Sequence, residues 1–302
     1  MQVIEYLNKN GKASLKNNHG IKIREYPLDN LMTLNYSLLD SIKFNAIADE
    51  CRALILENTA PYNVVARSFD RFYNLRQNKE VDDSINFNNA IVWEKIDGSL
   101  CNFYYYKDKW NVSTRSMAFA EGLCNNGLDT FEELIMGYIN RNNINLYKHF
   151  DKDITYMCEF VSPLNRIVKP YQVEKVYLLG ARDKNNGKEH SYESLLYLSN
   201  AMGLDLPTTY EIKDYQSIID MFKNIDAFDE GFIVADYSEL FNVKRIKLKN
   251  PSYLAISFLR SNGVIPIGKI IDLVFLNDTA EYLDAFPEDK PLFAPYIHAY
   301  EY

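Results

Sequence analysis

Lys95-Ile96-Asp97-Gly98 lies between two runs of β-forming residues, Ile91-Val92-Trp93-Glu94 and Ser99-Leu100-Cys101-Asn102-Phe103-Tyr104-Tyr105-Tyr106. A lysine amine is a nucleophile only in its neutral form. Burial and neighbouring cations both disfavour the ammonium. A lysine at a strand end, beside further lysines, is therefore suited to attack on a nucleotide α-phosphate. Asp97-Gly98 is a turn dipeptide, because glycine tolerates positive φ. The stretch reads as a hairpin of strand, tight turn and strand. A surface lysine ahead of an ordinary turn is the plain alternative, so the rest of the chain must supply the partners.

Nucleotidyl transfer needs a nucleophile, cations on three phosphates, a metal site and a pocket for base and ribose. Glu159 interrupts the apolar run Ile154-Thr155-Tyr156-Met157-Cys158, where an acid is costly unless paired or turned to solvent. Glu230 opens the strand Gly231-Phe232-Ile233-Val234-Ala235-Asp236. Lys244-Arg245-Ile246-Lys247-Leu248-Lys249 alternates, which puts Arg245, Lys247 and Lys249 on one face and Ile246 and Leu248 on the other. A solvated edge strand guarded by lysines would look the same. Arg52, Arg71 and Arg115 are further candidate cations. Gly263-Val264-Ile265-Pro266-Ile267-Gly268-Lys269-Ile270 nearly spells a phosphate loop, but no Ser or Thr follows the lysine and Pro266 removes one cradle N–H.

The elements that must position these groups fit an ordinary globular chain of 302 residues, 47% hydrophobic and 25% charged, enough for one large domain or one large and one small. The 23 Tyr and 17 Phe predict aromatic-rich strands. No long apolar run predicts a membrane span, and the N-terminus lacks the basic and apolar regions of a signal peptide. Cys51, Cys101, Cys124 and Cys158 form no C-x-x-C pair, so neither a zinc site nor a disulfide framework is expected, as suits a reducing cytoplasm. A net charge of -8 argues against a general nucleic-acid coat but leaves room for a local basic groove. Residues 1–45 read as polar turns and short apolar runs, with a strand at 21–24 and a loop at 27–40. Strands are expected within 49–56, 63–69, 110–115, 154–161 and 173–183. Helices are expected at 127–147, 191–202, 215–225 and through most of 250–302.

Lys95-Ile96-Asp97-Gly98-Ser99 resembles the Lys-x-Asp-Gly motif of the lysine nucleotidyltransferases, the ATP-dependent ligases and mRNA-capping enzymes. Lysine motif, strand-borne Glu, Glu-Gly and Lys-x-Lys follow in the order of that superfamily. Glu159-Phe160-Val161-Ser162-Pro163-Leu164-Asn165-Arg166-Ile167-Val168 is similar to the third motif of the bacteriophage tRNA-repair RNA ligases, the RNA ligase 1 family. Glu50-Cys51-Arg52, Arg71-Phe72-Tyr73-Asn74 and Val176-Tyr177-Leu178-Leu179 resemble its flanking elements. The likeness runs from about Glu50 to Tyr253.

That resemblance implies an α+β fold: a nucleotidyltransferase (ATP-grasp-like) domain of two mainly antiparallel sheets with flanking helices over residues 1–249, and a small helical C-terminal region over 250–302. It implies an ATP-dependent RNA ligase that joins RNA 5′-phosphate and 3′-OH ends, acting as a cytoplasmic monomer (in the host cytoplasm if viral) with cleaved tRNA as a substrate. Lys95 would carry the AMP. Gly98 would let the backbone approach the nucleotide, and Glu94 would join the nucleotide-binding set. Glu159 would accept from the ribose. Lys247 and Lys249 would grip the α-phosphate and lower the Lys95 pKa. Glu230 would position the metal, magnesium or manganese. Arg52 and Arg71 would hold pyrophosphate, and Leu179, Phe232 and Val234 would border adenine. Arg115 stands where the family commonly has lysine, and a guanidinium is not equivalent to an ammonium. A DNA ligase or capping enzyme normally adds a β-barrel after the basic strand, which a helical tail disfavours. A nucleotide- or RNA-binding module without catalysis is the remaining alternative. The aromatic tail reads either as structural cover or as an RNA-facing platform.

Overall fold

The computed structural model of the chain describes residues 1–37, 39–260, 263–276 and 279–301. Strands follow in the order β1 (Ile21–Tyr26), β2 (Leu31–Tyr36), β3 (Leu54–Glu57), β4 (Val64–Ala66), β5 (Tyr73–Asn74), β6 (Ala90–Glu94), β7 (Ser99–Tyr106), β8 (Lys109–Thr114), β9 (Ile154–Val161), β10 (Lys175–Asp183), β11 (Thr209–Tyr210), β12 (Gly231–Asp236) and β13 (Lys244–Lys249). Two sheets carry the candidate chemistry, ordered β10-β9-β7-β8 and β11-β6-β12-β13-β5. Their pairings are antiparallel except β13 with β5, so the α+β architecture of mainly antiparallel sheets is present. A further four-stranded sheet, β1-β2-β3-β4, precedes them in the chain.

Local chemistry explains several boundaries. β7 and β8 form a hairpin through Lys107 and Asp108, both at positive φ (48° and 59°), which matches the twist of paired strands. The helix expected at 127–147 is instead two, Phe131–Arg141 and the single turn Leu146–His149. Thr130 and Glu133 cap the N-terminus of the first reciprocally, which fixes the start. Leu134, Ile135 and Ile139 then face the β10-β9-β7-β8 sheet in one core with Phe103, Tyr156 and Phe160.

Three expectations are corrected. Residues 2–19 form a helix, Gln2–His19, rather than polar turns; Val3, Leu7 and Leu15 are buried on one side, and non-helical Gly11 (φ 76°) interrupts the pattern. Part of the expected 27–40 loop is β2, whose six residues are all buried; a strand covered on both faces shows no alternation. The lysine motif is not a hairpin, because β6 and β7 lie in different sheets and do not pair.

Beyond β13 the chain is helical, with Pro251–Leu259, Ile267–Leu276, Thr279–Ala285 and Lys290–Glu301. These helices share a core with Val168: Tyr253, Ile270, Phe286 and Phe293 are all buried there. Arg166 ties the tail down, donating to Ala285 O at 3.1 Å and pairing with Glu288 at 2.7 Å. Among the described residues no helix is long and apolar enough to cross a membrane.

Candidate active site

The lysine motif is the connection between the two sheets. Lys95 N donates to Gly231 O at 2.8 Å, which holds the end of β6 against the start of β12. Asp97 is 3% exposed. Its Oδ2 accepts from the backbone N–H groups of Val168 (2.9 Å) and Lys169 (2.7 Å), and its Oδ1 accepts from the Tyr253 hydroxyl (2.7 Å). Asp97 thus pins the motif to the 168–169 segment and to the first tail helix. Gly98 is not in the left-handed region; a Cβ there would stand 2.5 Å from Phe160 O and 2.9 Å from Glu159 Cγ. The glycine is required by close approach to β9, not by a positive-φ turn.

Glu230 is buried and bridges two lysines, pairing through one oxygen with Lys95 and through the other with Lys249 at 2.7 Å. Burial would raise the Glu230 pKa, but the two ammoniums hold it below the usual carboxylate value. Burial alone would lower the Lys95 pKa, yet Glu230 and Glu159 outweigh it and the pKa is raised. The expectation that Lys247 and Lys249 depress the Lys95 pKa is therefore corrected: the carboxylates outweigh them, and Lys249 is held by the same Glu230.

The depressed amine is Lys247, at about 6, through burial and the neighbouring charges of Arg52, Lys95 and Lys249. It makes no ion pair among the described residues; its Nζ sits 4.6 Å from the Phe72 ring centroid. Half-buried Glu159 accepts no hydrogen bond among the described residues, and burial with the nearby Glu230 charge lifts its pKa to about 7. Arg52 stacks near Phe69 and Phe72, at 5.8 and 5.2 Å, and leaves a buried Nη1 without a hydrogen-bond partner. Such a group is costly unless something meets it. The loop carrying those rings is anchored by buried Arg182, which donates to Ser68 O (2.8 Å) and Asp70 Oδ1 (3.0 Å).

Arg52, Glu94, Lys95, Glu159, Leu179, Glu230, Lys247 and Lys249 line one pocket, fed from both sheets. Leu179 reaches it because the β10–β9 register slips between Leu178 and Gly180, and a bulge re-aims a side chain. Arg71 does not line this pocket but a neighbouring one, packed over Tyr36 at 4.1 Å; Arg115 lies over the same ring at 4.6 Å. Phe232 and Val234 are buried in the core on the other side of β12, and Ile233 and Ala235 face the pocket instead. The sequence reading took the wrong parity in a strand that is apolar on both faces. It also missed Phe69, Phe72 and Trp93 as pocket walls, for which local sequence gives no signal. Asp97 was legible in the motif, but its partners were not.

The unpartnered Arg52 Nη1 and the unpaired Lys247 amine suit a phosphate chain, and the unbonded Glu159 suits a hydroxyl donor. The fit for a protein-held metal is poor. Both Glu230 oxygens accept from lysines, and no group of three or more His, Cys, Asp or Glu that could hold a metal occurs among the described residues.

A family model described as RNA ligase matches residues 50–253. A protein assigned as a bifunctional polynucleotide kinase/RNA ligase, from Autographa californica nuclear polyhedrosis virus, is 32% identical over 99% of this chain and 44% of its own length. A protein assigned as an RNA ligase, from Thermovibrio ammonificans, is 27% identical over 72% of this chain and 56% of its own. The chain thus spans about half the length of these relatives. A solved archaeal ATP-dependent RNA ligase shares the fold, with a TM-score of 0.55 and 11% identity over 99% of this chain and 79% of that one.

Proposed function

The chain belongs to the RNA ligase family matched over residues 50–253, and on that premise we propose that it is an ATP-dependent RNA ligase joining RNA 5′-phosphate and 3′-OH ends through a lysyl-AMP intermediate. The observation that carries the reading is the Lys95–Glu230–Lys249 bridge beside an unpaired Lys247, in one pocket with Glu159 and Arg52.

In this reading Lys95 Nζ attacks the ATP α-phosphorus, a P–N bond forms and pyrophosphate leaves. The AMP then passes to an RNA 5′-phosphate, and a 3′-OH displaces it to form the phosphodiester. Lys95 must first shed the proton that its carboxylate neighbours favour. A bound triphosphate competes with Glu230 for Lys249 and favours the charged form of Lys247. Charging Lys247 sets one further cation beside Lys95, which opposes the hold of the carboxylates and phosphates on its proton, and that proton leaves to solvent. Lys247 and Lys249 hold the α-phosphate, Arg52 the departing pyrophosphate, and Glu159 accepts from the ribose. Leu179, Ile233 and Ala235 offer the apolar border for adenine. Glu94, paired with Lys169 at 3.2 Å, shapes the pocket at the end of β6. Magnesium or manganese would neutralise phosphate charge; hard cations keep waters and bind through phosphate oxygens, and no step here depends on a protein-held ion. Residues 1–249 form the adenylyltransferase unit and 250–302 its helical appendage, with a cleaved tRNA as the substrate class that the family likeness suggests.

The test is incubation with ATP, magnesium and single-stranded RNA bearing 5′-phosphate and 3′-OH ends. Circularised or joined RNA is expected. Use of GTP to cap a 5′-diphosphate, or sealing of nicked duplex DNA without RNA joining, would overturn the assignment.

A further inference from the structure

Three cations of β13 line the lysine pocket, and their partners differ. Lys249 pairs with Glu230, and Lys247 makes no ion pair among the described residues. Arg245 is 8% exposed and forks onto Glu189, donating through Nη1 to Oε1 at 3.0 Å and through Nη2 to Oε2. Glu189, on the connection after β10, is as deeply buried, at 6%. With both carboxylate oxygens on one guanidinium, the pair presents no net charge to the pocket. Apolar residues of similar volume fill such a site as stably or more so, so stability alone does not account for an arginine here.

The flat face of Arg245 packs on Phe69, 4.3 Å from the ring centroid. Phe69 is itself buried and walls the pocket. Arg52 lies against the same ring at 5.8 Å, with its Nη1 unmet among the described residues. The ring has little freedom. A Cβ at Gly180 would stand 2.8 Å from Phe69 Cε1, so the glycine leaves the ring its place. On either side of Phe69 in the chain, Ser68 O and Asp70 are held by Arg182. Glu189, Arg245, Phe69 and Arg52 thus form one continuous series of contacts, from a buried carboxylate to an unmet guanidinium.

Resting on the RNA ligase reading, we propose that Arg245 is a positioning residue: through Phe69 it fixes the Arg52 guanidinium for the outgoing phosphates of ATP, and it does not itself touch the nucleotide. Arginine suits the task because its planar fork grips a carboxylate edge-on while its face covers a ring, which an ammonium cannot do. Fixing Arg52 in advance matters because a bond from guanidinium to phosphate is directional, and a donor already ordered loses less on binding.

The experiment replaces the ion pair as a unit, Arg245→Met with Glu189→Met, which keeps the net charge and strands no buried partner. Phe69→Leu is the second variant; it leaves the pair in place and removes the ring. Calorimetry in magnesium reads affinity for α,β-methylene-ATP, whose α–β bridge resists cleavage, and for AMP, which lacks the outgoing phosphates. Both variants should bind α,β-methylene-ATP at least about five-fold more weakly, part of the worth of one hydrogen bond to a charged group. AMP affinity should stay within about two-fold. In an Arg52→Ala background the same replacements should shift α,β-methylene-ATP affinity by less than about two-fold, since effects carried through one residue do not add. Equal losses for both ligands would overturn the proposal, because the stack would then merely support the pocket. So would unchanged affinities, or a loss of full size in the Arg52→Ala background, which would put Arg245 on the nucleotide itself. An unsubstituted chain that binds neither ligand would sink the ligase reading, and this inference with it.

Discussion

Replacing Lys247 by methionine should stabilise the protein while abolishing its chemistry. Folding forces this amine toward its neutral form, with a pKa brought from 10.5 to about 6 by burial and by the charges of Arg52, Lys95 and Lys249. That gap corresponds to at most ~6 kcal/mol of penalty for the charged form. The half-buried side chain recovers part of this through solvent, leaving a gain of about 1–2 kcal/mol for Lys247→Met near neutral pH. The sign follows from proton counting. Between pH 6 and 10.5 the unfolded chain binds a proton at Lys247 that the folded chain does not, so wild-type stability rises with pH across that window. The advantage of the variant is therefore largest near the acid end and shrinks as pH rises. Urea unfolding of both proteins at about pH 6, 7.5 and 9 reads this directly. A variant less stable than the parent, or a difference flat in pH, would refute the electrostatic account of the pocket. Label from ATP should be lost in the same variant, since an apolar side chain cannot meet a phosphate.

Other substitutions test the remaining parts of the framework. Gly98→Ala would put a Cβ 2.5 Å from Phe160 O and should cost about 3 kcal/mol or more in urea unfolding; a neutral change would show that β9 moves freely away. Glu159, lifted from 4.5 to about 7, keeps its proton in the folded chain across that range, so wild-type stability falls as pH rises through it. Glu159→Gln escapes this and should gain roughly 1–2 kcal/mol at about pH 8 relative to about pH 5, a shift that equal urea midpoints would contradict. Asp97→Ala strands two backbone N–H groups and one hydroxyl and should cost about 3–5 kcal/mol, whereas Tyr253→Phe removes one of these bonds and should cost about 1–2 kcal/mol. Equal thermal shifts for the two would deny Asp97 its pinning role.

What the sequence showed depended on how local the cause was. The basic strand was readable because Arg245, Lys247 and Lys249 alternate strictly with Ile246 and Leu248, and the structure keeps that parity, with Ile246 and Leu248 in the core. β12 is apolar on both faces, so nothing in Phe232 to Ala235 says which side meets the pocket; the pairing with β6 and β13 decides it. The flanks of Lys95 look like a hairpin, and only distant pairings, Phe232 with Glu94 and Ser99 with Phe160, send β6 and β7 to different sheets. The need for glycine at 98 likewise comes from β9 across the gap, not from its own turn. Cations around Lys95 could be counted in the sequence. That one carboxylate, Glu230, would bridge Lys95 and Lys249 and raise the Lys95 pKa could not.

Whether Lys95 carries AMP is read by intact-protein mass spectrometry after incubation with ATP and magnesium, followed by peptide mapping. One added AMP is expected, on the peptide that contains Lys95, stable to denaturation and absent from Lys95→Ala. AMP on another residue, or undiminished addition to Lys95→Ala, would contradict Lys95 as the carrier.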